Sequence, residues 1–350
     1  MTNPTLDRRN FMKRAGLIGL GSGLGSSFFT LALPKGSWAE SASENRFSRS
    51  MPSMGTLVNI DVFGEKEAKA REAVRDAFAE IRLIHDLMST HQRTSNLNEV
   101  NRVAGNDMAK VDPRITEVVK SAIEWGHRSD GVFDVTILPL LKVWGFREDA
   151  DDIPDNVSAA ESCVGFRQIS IVDNKIGLKR KGAGIDVCGL AKGYAVDRAI
   201  GILRDKWEIK NAIVNAGGDL YCLGHPEDAP GFRIGVHNPL GSGICATLEL
   251  CNQAIGTTGN YNTRMERDGK KYTDIFNPFT GQPVETYLSV SVVAPTTMAA
   301  DASSVTLFSA GKEKKIDLSK YGCSSLKIGR DESNGLRFTT ESHFPTVTRV

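Results

Sequence analysis

The strongest constraint on the fold is a change of hydrophobic period along the chain. From Glu65 to Met88 apolar side chains recur at helical spacing, with Val74, Phe78, Ile81, Ile84 and Leu87 along one face. Arg114 to Arg128 repeats the pattern through Ile115, Val118, Val119 and Ile123; Gly189 to Asp205 predicts a third helix and Ala299 to Ser309 a fourth. Thr56 to Phe63 instead alternates Leu57, Asn59 and Asp61 against Val58, Ile60 and Val62, the period of a strand. Beyond residue 211 short β-branched runs dominate, at 212–215, 233–236, 247–250, 272–276, 288–293 and 325–328. Strict strand–helix alternation is missing, so the pattern favours an α+β fold. Residues 51–350 contain no internal repeat and no long low-complexity linker, and read as a single compact domain of mixed helices and antiparallel strands.

Ahead of that domain the composition is lopsided. Arg8 and Arg9, followed by Phe11, Met12, Lys13 and Arg14, make a basic head. Ala15 to Leu33 is weakly apolar and diluted by glycine, and Ser37 and Ala39 are small residues placed for cleavage. The order basic, apolar, small is that of an export signal, and the paired arginines before Phe-Met-Lys mark the twin-arginine kind. Each glycine costs about 1 kcal/mol relative to alanine in a helix, which argues against a helical anchor. Residues 1–39 are thus expected to be a signal peptide read by the twin-arginine export machinery, residues 40–50 a Ser-rich mobile segment, and the mature protein periplasmic. The first cysteine is Cys163, so no lipid anchor is expected.

Of 43 Lys+Arg and 42 Asp+Glu, five bases and one acid lie in residues 1–39, which leaves the remaining chain at a net charge of −3. Such a domain lacks the cationic excess that displaces counterions, and no nucleic-acid partner is expected. Six cysteines (163, 188, 222, 245, 251 and 323) permit disulfides in an oxidising compartment. Twin-arginine cargo folds before export, in a reducing cytoplasm, so buried free thiols are the expectation.

No HExxH, CxxC or GxSxG spacing occurs. What stands out is a series of Gly-, Asp- and Asn-rich turns. Met54-Gly55-Thr56 and Leu87-Met88-Ser89-Thr90-His91 come first, then Asp130-Gly131-Val132-Phe133-Asp134 ahead of Trp144-Gly145-Phe146. Asp186 to Asp197, containing Gly189, Lys192 and Gly193, is followed by Asn215-Ala216-Gly217-Gly218-Asp219 and Thr257-Thr258-Gly259-Asn260-Tyr261. Asp274-Ile275-Phe276-Asn277-Pro278 and Ala300-Asp301-Ala302 close the series. Glycine beside Thr or Asn lets backbone amides approach phosphate oxygens. Asp301 at a helix start is either an N-cap or a carboxylate ligand for Mg²⁺. Lys192 is either solvated or paired with a phosphate or carboxylate.

In this order the blocks resemble the ApbE family of FAD:protein FMN transferases over about residues 51–312. The resemblance implies an α+β, T-fold-like domain that takes FAD as substrate and Mg²⁺ as cofactor. It implies transfer of FMN to a threonine hydroxyl of a partner flavoprotein, with release of AMP; a membrane-bound respiratory electron-transfer protein is the expected acceptor. Carried over position by position, Met54, His91, Val132, Phe133, Asp134, Asp186, Lys192 and Phe276 would contact FAD. The Gly189 carbonyl, Asp301 and Ser304 would hold the metal.

The chain departs from the family at several of these places. His91 stands where the family has Tyr, Asn277 where it has Asp, and Asp274 where it has a functional His. Ser304 and Val305 replace an acidic or small residue and a Thr ligand, and valine cannot ligate. Asp274 becomes the catalytic candidate, as base or as compensating ligand, although a carboxylate is a weaker base at neutral pH than an imidazole. Two readings follow from the resemblance: a transferase with a rearranged site, or an FAD-binding assembly factor whose catalytic centre has decayed.

Overall fold

The computed structural model describes residues 46–147, 154, 156–260, 265–267, 270–312 and 314–350. The expected signal peptide and residues 40–45 lie outside these, as do Tyr261, Asp268 and Gly269.

Eight strands make one sheet: β1 (Arg46–Ser53), β2 (Thr56–Phe63), β3 (Asn211–Ala216), β4 (Asp219–Leu223), β5 (Gln253–Gly259), β6 (Ser289–Ala294), β7 (Ser324–Arg330) and β8 (Leu336–Glu341). Their spatial order is their chain order, and every neighbouring pair is antiparallel. Helices α1 (Glu67–Met88), α2 (Pro113–Arg128) and α3 (Cys188–Gly201) are inserted between β2 and β3, and α4 (Thr297–Ala310) between β6 and β7.

Period-two burial gives the sheet two working faces. Ala212, Val214 and Ala216 of β3 and Val290 and Val292 of β6 pack with the helices. Ile213 of β3, Leu220 and Cys222 of β4, and Leu326 and Ile328 of β7 pack against a second sheet, formed by residues 232–237, 244–250 and 348–349. Full burial of each such Val, Leu or Ile contributes about 1.5–3 kcal/mol, so both faces anchor the sheet.

Two glycines set the position of α4. A Cβ on Gly193 would lie 2.5 Å from the Thr297 carbonyl oxygen, and one on Gly256 would lie 2.7 Å from the Ala300 carbonyl carbon. The helix is therefore wedged between α3 and β5. Asp197 of α3 fixes its start by accepting the Thr297 and Met298 N–H groups at 2.7 and 2.9 Å, an N-terminal cap supplied by another helix.

The strand at 56–63 and the four helices occur where the sequence places them, with ends shifted by a few residues and 202–206 continuing α3 as a turn of π-helix. Three expectations need correction. Arg46–Ser50, expected to be mobile, form the first half of β1; pairing along β2 and the Arg46–Asp61 contact at 2.7 Å override the Ser-rich composition. The strand expected over 272–276 is interrupted, because the Thr273 hydroxyl and the Ile275 carbonyl both turn to Val284. Asp301 is no N-cap: Thr296 caps α4 by accepting the Ala299 N–H, and Asp301 falls in the second turn.

None of the six cysteines is in a disulfide; Cys222, Cys245 and Cys323 are buried and the other three half-buried. Among the described residues no helix is long and apolar enough to cross a membrane.

Candidate active site

Where α3, α4, β4 and β5 meet the segment around residues 132–147, an open cleft forms, with about 1090 Å³ of space once the open solvent at its mouth is counted. A second open pocket adjoins it, with about 910 Å³ on the same solvent-inclusive measure, lined by Met54, Gly55, Thr56, Thr90 and His91 among others. Arg147, Asp186, Cys188, Lys192 and Gly217 line both, so the two chambers meet at a charged waist.

The residues singled out in the sequence divide between these chambers. Met54 and His91 fall in the smaller one; Val132, Phe133, Asp134 and Phe276 line the larger, together with Gly189, Asp274 and Asp301. Asp186 and Lys192 stand at the waist. Ser304 lines neither chamber. Its buried hydroxyl donates to the Asp301 carbonyl at 2.9 Å and lies 2.8 Å from Thr258 Oγ1. Back-bonding takes the hydroxyl proton into the helix turn, and the chamber lining does not include the metal ligand expected at Ser304. Val305 does face the larger chamber, with methyl groups.

Lys192 bridges two carboxylates at the junction of α3, α4 and β4. Its Nζ is 2.6 Å from Asp219 Oδ2 and 3.2 Å from Asp301 Oδ2. The Gly193 N–H donates to the same Asp301 oxygen at 3.3 Å, a contact made possible by the close crossing of α3 and α4. Burial raises both carboxyl pKa values, and the neighbouring Asp219 charge raises Asp301 further, while Lys192 pulls both down. Burial works against the Lys192 ammonium, but the two carboxylates outweigh it and hold the lysine well above its ordinary value. The Thr257 N–H faces the Asp219 carboxylate, yet Asp219 Oδ1 is buried without a hydrogen-bond partner.

The second charged group centres on Arg147, whose Nε lies 2.7 Å from Asp186 Oδ2 and whose Nη1 lies 3.8 Å from Asp274 Oδ2. The Cys188 N–H donates to Asp186 Oδ1 at 2.8 Å. Burial pushes the Asp186 carboxyl up, but Arg147 and this N–H outweigh it and leave the group below its ordinary value. Asp134 is committed structurally: it accepts the Thr136 N–H and hydroxyl and the Phe166 N–H at 2.8, 2.6 and 2.8 Å. It shapes the chamber wall instead of presenting a spare carboxylate. Arg147 was not marked by any sequence pattern beyond following Trp144-Gly145-Phe146. Asp219 closes the Asn215–Asp219 turn, whose sequence assigns it no role.

The larger chamber is lined by Asp134, Asp186, Asp219, Asp274 and Asp301 against Arg147 and Lys192. An excess of carboxylates repels a diphosphate unless a divalent cation changes the balance. Among the described residues no cluster of three or more His, Cys, Asp or Glu side chains is arranged to hold a metal. Mg²⁺ needs less: one or two carboxylates, a carbonyl and phosphate oxygens suffice. Asp301, the Gly189 carbonyl and the unsatisfied Asp219 oxygen are donors of that kind.

Residues 54–326 match the ApbE family. An FAD:protein FMN transferase of Vibrio cholerae is 30% identical over 273 residues, which cover 75% of this chain and 81% of that protein. One of Haemophilus influenzae is 25% identical over 318 residues, covering 87% and 92%. Among solved structures, the flavin transferase ApbE from Vibrio cholerae superposes with a TM-score of 0.76 at 27% identity, covering 85% of this chain and 97% of that one. The ApbE protein from Thermotoga maritima gives a TM-score of 0.76 at 27% identity, covering 83% and 96%.

Proposed function

The chain belongs to the ApbE family, and we propose that it is an FAD:protein FMN transferase that uses Mg²⁺ to move FMN from FAD to a threonine hydroxyl of a partner flavoprotein, releasing AMP. The observation that carries the reading is the pair of chambers meeting at Arg147, Asp186 and Lys192. A dinucleotide has that shape, with two large halves on either side of a diphosphate.

Met54 and His91 would line one half of the ligand, and Val132, Phe133 and Phe276 would present apolar surface to the other. Lys192 is within reach of a diphosphate at the waist, where a flexible ammonium suits a phosphate oxygen. Mg²⁺ held by Asp301 and the Gly189 carbonyl would neutralise diphosphate charge and ease the departure of AMP. The acceptor hydroxyl attacks the FMN phosphorus; that P–O bond forms as the bond to the AMP oxygen breaks, and the hydroxyl proton passes to a base. Asp274, on the chamber wall with Arg147 Nη1 3.8 Å from its carboxylate, is the group proposed to receive it.

One observation favours a second reading. Val305 presents methyl groups toward Gly189, its Cγ2 3.3 Å from where a Cβ on that glycine would sit, in place of a ligand hydroxyl. On that reading the protein binds FAD and assists flavoprotein assembly without transferring. Incubation with FAD, Mg²⁺ and a threonine-bearing acceptor domain separates the two. Fluorescent acceptor in a denaturing gel, with AMP released, supports transfer; tightly bound FAD with neither product leaves only the assembly role. Arg8, Arg9 and the small residues before position 40 support export by the twin-arginine machinery to the periplasm, where a membrane-bound respiratory flavoprotein is the proposed acceptor.

A further inference from the structure

We infer that Asp219 is a direct ligand of the divalent cation, standing in for the ligands that positions 304 and 305 of α4 do not supply. The inference rests on the Mg²⁺-dependent reading above and concerns which side chains hold the ion. From α4 the cation can take one carboxylate, Asp301. The Ser304 hydroxyl is bound to Asp301 O and Thr258, and Val305 is apolar.

The second carboxylate comes from the sheet. Gly217 and Gly218, at φ of 67° and 106°, turn the chain between β3 and β4 through a conformation that favours glycine. Asn215 Oδ1 pins the turn by accepting the Gly218 N–H at 2.9 Å. Asp219 thereby opens β4 in the wall of the larger chamber while only 2% exposed. Its Oδ2 and Asp301 Oδ2 already share one cation, the Lys192 ammonium, at 2.6 and 3.2 Å. Its Oδ1 is buried and, although the Thr257 N–H faces the carboxylate, meets no donor at good hydrogen-bond geometry. A buried acceptor left open in a native site calls for an explanation, and a bound ion is one of the few kinds available.

Charge points the same way. With both carboxyls ionised, as a bound cation would hold them, they and the ammonium sum to −1, the wrong sign for a diphosphate; a divalent ion brings the group to +1. Lys192 is then a place-holder that the ion displaces toward the phosphates.

The test uses Mn²⁺ as probe, titrated into the protein without FAD and followed by the electron paramagnetic resonance of the free aqueous ion, with Mg²⁺ as competitor. Wild type binds one Mn²⁺ that Mg²⁺ displaces. Asp219→Asn weakens it by at least about tenfold, on the scale of losing a metal-site interaction, and Ser304→Ala by less than about twofold. If Asp219→Asn binds like wild type while Asp301→Asn does not, Asp219 is no ligand and the Mg²⁺ reading survives. If wild type binds no Mn²⁺, both fail. Should Asp219→Asn lose its circular dichroism signal, Lys192→Met reads the same pair from the other side. Removing the competing ammonium tightens Mn²⁺ at least about fivefold if the two carboxylates form the site, and unchanged affinity overturns the inference.

Discussion

Replacing Gly193 by alanine tests how the site is held together. The added Cβ would lie 2.5 Å from the Thr297 carbonyl oxygen and 2.6 Å from both Thr297 C and Met298 Cα. Comfortable carbon contacts are about 3.5–4.0 Å, so α4 must retreat by about 1 Å. It has no room to do so on the sheet side, where Gly256 is already pressed against Ala300. Overpacking costs about 1–3 kcal/mol, and a clash with three backbone atoms belongs at the upper end. The retreat also stretches the Gly193 N–H to Asp301 contact of 3.3 Å and the Lys192 to Asp301 contact of 3.2 Å. Urea unfolding should show a midpoint lowered by on the order of 1 M, and FAD and Mn²⁺ should both bind more weakly. Gly329→Ala, where the Cβ would meet nothing within 4 Å, is the control; it should stay within about 0.5 kcal/mol of wild type. A Gly193→Ala protein with wild-type stability and ligand affinity would refute the close crossing as the device that positions Asp301.

Other perturbations read separate parts of the site. Arg147→Ala strands the buried Asp186 charge and should cost about 3–5 kcal/mol in urea unfolding; adding Asp186→Asn should recover much of it. The same pair sets an acid limb. Asp186 is raised by burial but lowered more by Arg147 and the Cys188 N–H, so its stabilising contribution is present above the unfolded carboxylate value, about 4, and is lost as pH falls through the lower folded value. Melting temperatures of wild type and Asp186→Asn should therefore converge on acidification below about pH 4. Asp197→Ala removes the cap on α4 and should cost about 1–2 kcal/mol. Asp274→His should raise the transfer rate if the site is merely suboptimal; a loss of rate would show that Asp274 has acquired its own role beside Arg147.

How much of this was legible in the sequence depends on where each feature gets its stability. The long amphipathic helix and the strand at 56–63 carry their period in the chain and are found close to where it places them. β1 does not, because a Ser-rich segment becomes a strand only through its partner β2. α4 is buried on nearly all sides, so it has little periodicity to read, and its start is set by Thr296 and by Asp197 of another helix. The turns flagged by Gly, Asp and Asn contribute lining to two adjoining chambers, apart from Trp144-Gly145-Phe146. Arg147 was invisible because its partner Asp186 is 39 residues away in the chain. For Lys192 the sequence leaves solvation and pairing open, and only the three-dimensional packing supplies Asp219 and Asp301 as its partners. Ser304 has a suitable hydroxyl in a suitable helix, and its direction follows from back-bonding to Asp301, which residue type alone does not dictate.

The central claim is covalent transfer of FMN, and the intact mass of the acceptor tests it most directly. After incubation of the protein with FAD, Mg²⁺ and acceptor, the acceptor should gain the mass of one FMN moiety, mapped to a threonine and matched by an equal amount of AMP. No gain should appear when that threonine is changed to alanine or when Asp301→Asn replaces wild type. An acceptor of unchanged mass, recovered from a protein that still binds FAD and Mg²⁺ tightly, would contradict it.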